Sequence, residues 1–489
     1  MYDVLIIGSG IIGCATAREL SRYRIKTLVI EQGADIAIGA TKANSGILHA
    51  GYDCRPGTLK AELNVKGAAM YPGLCDELDI PYRLNGSLVI GTAETTEATE
   101  TTESEENDML RLRALYEQGL ENGVREMELL TAEEALALEP NLTHRVTGAL
   151  RAKTAGVISP YEAGIAFGEN AAENGVEFLL ETEVTGVKEN GAKGFTLRIV
   201  TRGGERSAIS AKIIINAAGI KSAAIHNFIS HHKEEIIPQR GQYYLLDNTQ
   251  RDLVRHTIFP LPTHLGKGAL IVPTVDYNIL LGPTAEAPES LSATGTTAGG
   301  LKDALDKVGL LLKSVPIYDR ITAYSGIRAK HDRGDFIIEE AAPGFIDALG
   351  IDSPGLTAAP AIACRIADMV TARLQPALNP NFKPSRMGIR RFRELPRPQQ
   401  AALIKENPAY GRIVCRCETI TEAEILGAIH RPLGAKNLDA IKRRTRAQMG
   451  RCQGGFCKLR LVEILSQELH IPPTAVTADG VGSEVMFTK

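Results

Sequence analysis

Val4-Leu5-Ile6-Ile7-Gly8-Ser9-Gly10-Ile11-Ile12-Gly13 decides the fold. An apolar strand stops at a glycine turn, and a stretch of helical character follows at once, from about Cys14 to Arg22. Each glycine has its own reason: Gly8 permits the tight turn, Gly10 lets the backbone approach a pyrophosphate, and Gly13 lets the helix pack on the strand. The phosphate charge would sit against free N–H groups at the positive end of that helix. A second strand, Thr27 to Ile30, ends at Glu31, 21 residues after Gly10, where an acid is wanted for the ribose hydroxyls. The first 31 residues therefore predict a βαβ unit that binds a dinucleotide, FAD or NAD. A glycine-rich turn of no function is the competing reading.

Working outward, the chain of 489 residues exceeds the ~250–300 at which one core stops growing, so two or three domains are expected. With 44% hydrophobic and 23% charged residues, it is neither disordered nor fibrous. A net charge of −3 speaks against a nucleic-acid partner. The start, Met1-Tyr2-Asp3, lacks the features of a secretory signal, which points to a cytoplasmic protein. No run reaches the ~18 apolar residues of a transmembrane segment, and a peripheral membrane contact stays open. Residues 94–108 hold seven acids and no base, and read as a solvated helix face or loop.

Strand-like stretches follow at Gly86 to Gly91 and from about 180 to 216, and residues 235–285 and 320–340 look like an antiparallel sheet. From 374 to 410 six prolines break the periodicity, as in a linker or wrapping segment, and helical character resumes near 411.

Four of the eight cysteines crowd into the C-terminal part as Cys415-Arg416-Cys417 and, 34 residues on, Cys452-Gln453-Gly454-Gly455-Phe456-Cys457. Clustered cysteines in a long cytosolic chain read as metal ligands. Four thiolates suit a [2Fe–2S] cluster, with glycines letting backbone amides approach the sulfurs. Tetrahedral Zn²⁺ competes for the same set. Seven Lys or Arg and no acid lie between 441 and 460, either as exposed helix faces or as charge that offsets a cluster and docks an acidic partner. Cys14, Cys54, Cys75 and Cys364 read as buried apolar cysteines.

Residues 1 to 370 resemble the D-amino-acid oxidase-like flavoproteins, which makes the dinucleotide FAD. Thr41-Lys42-Ala43-Asn44-Ser45-Gly46-Ile47-Leu48-His49-Ala50-Gly51 looks like the family's loop beside the flavin. Ile215-Asn216-Ala217-Ala218-Gly219 resembles its late strand returning to the nucleotide, and Val184 stands where the family contacts adenine. Leu349-Gly350-Ile351-Asp352-Ser353-Pro354-Gly355-Leu356-Thr357 is similar to its final glycine turn and helix start. The cysteine tail resembles the BFD-like [2Fe–2S] domain, with a longer second spacing that matches versions fused to flavin dehydrogenases. The resemblance implies an α/β Rossmann-type FAD-binding domain with an inserted antiparallel-sheet (α+β) substrate domain, plus a small helical iron–sulfur domain with four cysteine ligands. Flavin segments are expected at about 1–80, 145–225 and 325–370, the substrate domain at 81–144 and 226–324, a linker at 371–410, and the cluster domain and tail at 411–489.

The whole chain resembles the FAD subunit of type II, or anaerobic-type, glycerol-3-phosphate dehydrogenases. Asn44 to Gly51 and Pro56-Gly57-Thr58-Leu59-Lys60-Ala61 also look like L-2-hydroxyglutarate dehydrogenase. Either way the substrate is a small anionic hydroxy compound, whose hydride passes to flavin as a base takes the hydroxyl proton. By resemblance His49 is the foremost base, with His264 and His331 next, and Arg328 is the anion anchor, with Lys267 a second. Arg240-Gly241 reads as a strand end. A cluster carries electrons singly, so dehydrogenase is favoured over oxidase, with a second flavoprotein subunit or other redox protein as acceptor. The remaining reading, an electron-transfer subunit without an organic substrate, is opposed by the presence of both His49 and Arg328.

Overall fold

A computed structural model of the chain describes residues 1–92, 101–262 and 268–486. The strand Tyr2–Ile7 sits inside an eight-stranded sheet, parallel to Thr27–Ile30 on one side and to Arg206–Asn216 on the other. Glu177–Leu179 and Phe345–Leu349 extend the parallel part. Strands buried on both faces read as unbroken apolar runs, which is why Val4, Leu5 and Ile6 are all fully buried. Val4, Ile6 and Val29 pack towards a core shared with the helices Ile11–Leu20, Pro160–Glu173 and Gly355–Leu374. Leu5, Ile7, Leu28 and Ile30 enter a separate core on the other face.

The second eight-stranded sheet runs in the order Arg320–Lys330, Ile237–Leu246, Ile279–Gly282, Leu270–Pro273, Thr257–Pro260, Ser87–Thr92, Val146–Ala152, Met127–Thr131. It is antiparallel except where Thr257–Pro260 meets Ser87–Thr92 in parallel. Its membership also differs from the expected segments. Val146–Ala152 and all of Arg320–Lys330 pair here, although 145–225 and 325–370 are expected with the flavin domain. Alternating apolar residues announce a strand, but only its long-range partner decides the sheet.

Of the acidic stretch 94–108, residues 93–100 lie outside the described residues, and 101–108 begin the helix Thr101–Glu121. Asp108 is no part of a wet face: it is 6% exposed and accepts from Thr147 Oγ1 at 3.0 Å.

Residues 375–412 wrap rather than dangle. Arg24 N–H donates to Ala377 O at 2.9 Å, Asn379 N–H to Arg22 O at 2.8 Å, and the Arg22 guanidinium stands 4.8 Å over the Phe382 ring. This strap leads to a small domain with its own core, where the helices Glu422–Ile429, Leu438–Thr445 and Lys458–Leu469 bury Ile425, Ile441, Leu461 and Leu465.

The basic stretch is not one exposed face: Arg451, Lys458 and Arg460 are exposed, but its three middle arginines are not. Arg443, Arg444 and Arg446 are at most 7% exposed and face acids of the rest of the chain. Asp35 accepts from Arg443 at 2.7 Å and from Arg444 at 2.7 and 2.8 Å. Arg446 reaches Asp276 at 2.8 Å and Glu418 at 2.9 Å, and Arg393 bridges the same two acids. These pairs clamp the small domain onto the large one.

Removing one partner of such a buried set leaves charge uncompensated, so Asp35→Asn should cost about 3–5 kcal/mol in urea unfolding followed by a probe in the C-terminal domain. Burial pushes the Asp35 carboxyl up, but Arg444 and Arg443 overcome it and hold the group below its ordinary value. A carboxyl depressed on folding contributes fully above its unfolded pKa, about 3.9, and the contribution is lost as pH falls through the folded value. Wild-type stability should therefore fall more steeply than that of Asp35→Asn in this acid range.

Candidate functional site

A cavity of ≈1470 Å³ is lined by residues of both large sheets. At its nucleotide end the three fingerprint glycines separate by role. Gly8 has φ +100°, and a Cβ there would lie 2.5 Å from Ala217 O, while one on Gly13 would lie 2.0 Å from Gly8 O. Both are demanded by the protein's own packing. A Cβ on Gly10 would meet only Thr41 Oγ1, at 3.3 Å, within 4 Å, and Gly10 lines the cavity. What forbids a side chain at Gly10 is a ligand, and a pyrophosphate at a helix start is the group that fits.

Glu31 closes this end: its Oε2 accepts from the N–H and hydroxyl of Ser9, both at 2.9 Å, and its Oε1 from Gly33 N–H at 2.8 Å. Thr41 Oγ1 accepts from Ile11 N–H at 2.9 Å. Lys42 lines the cavity and also pairs with Asp479 of the C-terminal tail at 3.4 Å. Asn44, Ser45, Val184, Ala218, Gly219, Gly355 and Leu356 likewise line it.

Gly13, Gly46, Gly350 and Thr357 support the wall from behind. A Cβ on Gly46 would strike Ile158 O at 2.5 Å, and one on Gly350 would strike His331 Cβ at 2.8 Å. Thr357 Oγ1 accepts from His49 N–H at 3.0 Å and donates to Ile47 O at 3.2 Å, tying the loop that carries His49 to the helix Gly355–Leu374.

At the other end, two arginines that look alike in sequence differ in their surroundings. Arg240 lies in mid-strand rather than at a strand end, and pairs with Glu286 at 3.0 Å and Glu289 at 3.1 Å. Arg328 lines the cavity and donates only to neutral oxygens, Gln239 Oε1 at 2.9 Å and Thr284 O at 3.2 Å. Among the described residues it has no carboxylate partner, so its charge is available to an anion. Gly241 makes room for it: a Cβ there would be 2.4 Å from Arg328 Nη2. That reason for a glycine depends on the strand opposite, and the sequence around Gly241 carries no sign of it.

Of the described histidines, His49 alone lines the cavity, its ring 5.9 Å from that of Phe259. His331 is buried, bonded through Nε2 to Glu234 at 2.8 Å, and is not on the cavity wall. His264 and Lys267 lie outside the described residues. Sequence reasoning passed over Tyr243 and Tyr324, which stack on the cavity wall with centroids 4.9 Å apart.

In the small domain Cys415 and Cys457 stand within hydrogen-bonding reach of one another, as do Cys417 and Cys452. The pairs also act on one another, Cys415 on Cys417 and Cys452 on Cys457, so the four thiols form one site. Four thiolates of this kind suit the two irons of a [2Fe–2S] cluster. Backbone N–H groups of Gln448 and Glu418 point at Cys415, and those of Phe456, Gly454 and Gly455 at Cys452. Arg446 (φ 68°), Gln448 (φ 78°) and Gln453 (φ 49°) adopt left-handed backbone to turn the loop this way, strain that folded proteins keep at functional sites. The Cys415 thiol is drawn down to about 6, first by the hydrogen bond from Cys457, in the direction that favours a thiolate ligand.

Residues 3–369 match the FAD dependent oxidoreductase (DAO) family, and residues 413–467 match the BFD-like [2Fe-2S] binding domain. The chain belongs to the FAD dependent oxidoreductase family. It is 45% identical to a glycerol 3-phosphate dehydrogenase of Caloramator mitchellensis over 99% of this chain and 98% of that one. A glycerol 3-phosphate oxidase of Mycoplasma pneumoniae is 31% identical over 78% of this chain and 97% of its own length. The FAD-bound structure of L-alpha-glycerophosphate oxidase from Mycoplasma pneumoniae superposes with a TM-score of 0.71 at 29% identity, covering 78% of this chain and 98% of that one. The protein is thus a flavoenzyme whose cofactors are FAD and a [2Fe–2S] cluster.

Gly10→Val should fold with wild-type stability yet bind no FAD, read from the flavin absorbance of purified protein. Gly13→Val, by contrast, should unfold at lower denaturant, because its clash is with Gly8 O rather than with a ligand. Full FAD occupancy in Gly10→Val would remove the pyrophosphate from that place.

Proposed function

We propose that this flavoenzyme oxidises the secondary alcohol of glycerol 3-phosphate to dihydroxyacetone phosphate and relays the electrons through its [2Fe–2S] centre to a partner redox protein. The observation that carries the proposal is Arg328, a guanidinium on the cavity wall held by neutral acceptors alone among the described residues. A guanidinium binds a phosphate in a fork and keeps its charge at any working pH. The full-length likeness to a glycerol 3-phosphate dehydrogenase supports the substrate.

Bound FAD supplies the acceptor for the hydride from the carbinol carbon. Gly10, Glu31 and Thr41 would hold its pyrophosphate and ribose end, Val184 its adenine, and Gly355 and Leu356 at the helix start its ring. Arg328 holds the phosphate so that the carbinol is presented in one orientation, with Lys267, by its place in the sequence, as a second anchor. His49 accepts the hydroxyl proton; its backbone is fixed by Thr357 and its ring lies against Phe259.

The relay rests on the C-terminal domain that matches the BFD-like [2Fe-2S] binding domain. Cys415, Cys417, Cys452 and Cys457 ligate the cluster, and its open edge carries exposed Cys417 and Phe456, the latter 88% exposed, beside exposed Lys458. A partner redox protein would draw electrons there. None of the eight cysteines is held in a disulfide, as a reducing cytoplasm would keep them, and no described helix is long and apolar enough to cross a membrane.

Anaerobic turnover with an artificial acceptor should be fast with glycerol 3-phosphate and slow with L-2-hydroxyglutarate and amino acids; the reverse order would sink the substrate assignment. Arg328→Lys should raise KM sharply, since an ammonium cannot reproduce the fork. His49→Ala should lower kcat by ~10²–10⁴ with little change in KM, and an unchanged kcat would move the base elsewhere. With Cys415 and Cys417 both replaced by serine, substrate should still bleach the flavin, while turnover with a protein acceptor collapses.

A further inference from the structure

Between the cavity and the cysteine site stands a run of side chains that neither substrate binding nor cluster ligation uses. It begins at Tyr243 and Tyr324, stacked across paired strands on the cavity wall. Tyr324 O–H donates to the carbonyl of Asn44 in the flavin loop at 3.1 Å. Gly46 of the same loop backs onto Pro160, whose Cδ would be 3.3 Å from a Cβ there. The next residue, Tyr161, lies in the first turn of the helix Pro160–Glu173. From there the Tyr161 O–H reaches Met449 Sδ at 3.6 Å, crossing from the large domain to the small one. Met449 is bonded to Gly450, where a Cβ would lie 2.3 Å from Cys417 Cβ, so this backbone is pressed against a cysteine of the cluster site.

We propose that Tyr161 and Met449 form the bridge along which electrons pass from the flavin to the [2Fe–2S] cluster. Bonded and touching atoms carry electronic coupling, and a gap attenuates it. From the Tyr161 ring to Cys417 the path holds one hydrogen bond to sulfur, a stretch of covalent chain and one van der Waals contact. The thioether is the most polarizable side chain available for the crossing point. Burial pushes the Tyr161 phenol up to about 12 against the pull of Arg446, so the ring stays neutral and couples without holding charge. Packing alone would need neither a hydroxyl nor a sulfur here, since any apolar pair fills the space. The bridge rests on the reading that the cluster takes electrons from the flavin. In each crossing reduced FAD loses one electron, one ferric ion of the cluster becomes ferrous, and a flavin proton leaves to solvent. The second electron follows once a one-electron acceptor, in turnover the partner redox protein, has reoxidised the cluster.

The test uses the full-length enzyme loaded with both cofactors. Its flavin is reduced by light with a sacrificial donor and no substrate, so the outcome does not depend on what the substrate is. Cluster reduction is followed by freeze-quench electron paramagnetic resonance, and iron content, FAD content and cluster midpoint potential are measured on the same samples. Tyr161→Leu and Met449→Leu keep the space filled, and each should slow cluster reduction several-fold, the double variant more, with iron, FAD and potential unchanged. Wild-type rates in the double variant overturn the bridge. So does a slowing that a loss of iron or a shifted potential accounts for, because the contact would then belong to the housing of the cluster. Should the leucine variants fail to fold, Tyr161→Phe keeps the ring and removes the hydroxyl, with its contacts to Met449 and Ser159, and an unchanged rate there overturns the proposal. A wild-type cluster that the flavin never reduces defeats the relay itself, a result distinct from normal rates in the variants.

Discussion

The two-cofactor arrangement depends on a buried set of arginines and acids at one internal boundary. Asp35, Glu169, Asp276 and Glu418 come from four separate stretches of the chain, and each meets guanidinium groups delivered by the strap or the small domain. Taking so many charges out of water is costly, and the cost is offset only if every partner is present in good geometry. An apolar boundary would tolerate sliding. Paired charges with hydrogen-bond directionality do not, so the small domain is held in one orientation. If electrons pass between the two cofactors as proposed, a fixed separation matters more than the modest stability such pairs contribute.

The same logic, inverted, shapes the substrate end. Arg240 is neutralised by Glu286 and Glu289 and serves the fold, fixing the segment from 284 to 297 beside the cavity through further bonds to Ala293 O and Gly295 O. Arg328 is given only a carboxamide and a carbonyl. Leaving a partly buried cation without a counter-ion is unfavourable in the free protein, and an anion bound there would relieve it. The two stand at neighbouring positions of facing strands, since Arg328 is paired with Gln239, next to Arg240. One arginine commits its charge to structure, and the other meets no carboxylate among the described residues.

What could be read in advance was local. The βαβ start needs only about thirty consecutive residues, and the strand, turn and helix that its glycines announce are present at Tyr2–Ile7, Gly8 to Gly10 and Ile11–Leu20. Cysteine spacing likewise marks a ligand set without reference to the remainder of the chain. What escaped was non-local. Arg446 and Asp276 are 170 residues apart, and nothing near Arg446 distinguishes a buried clamp from a wet basic helix. Val146–Ala152, expected within the flavin segment 145–225, joins the second sheet through Ser87–Thr92, a partner that pattern cannot name. Gly241 reads as punctuation because the guanidinium that needs its space sits on another strand.

One helix, Pro160–Glu173, gathers these separate demands. Its first residue backs the flavin loop at Gly46, Tyr161 touches the small domain through Met449, and both carboxylate oxygens of Glu162 accept from Arg391 Nη2 of the strap, at 2.9 and 2.8 Å. Two turns on, fully buried Glu169 accepts at 2.7 Å from Arg386 of the strap and at 2.7 Å from Arg431 of the small domain. A rigid rod of about two and a half turns between these points leaves little freedom for one end to shift without the other. The flavin loop is therefore positioned by the same element that receives the cluster domain. A change at the clamp is then passed to the loop at Gly46 through the backbone of this helix.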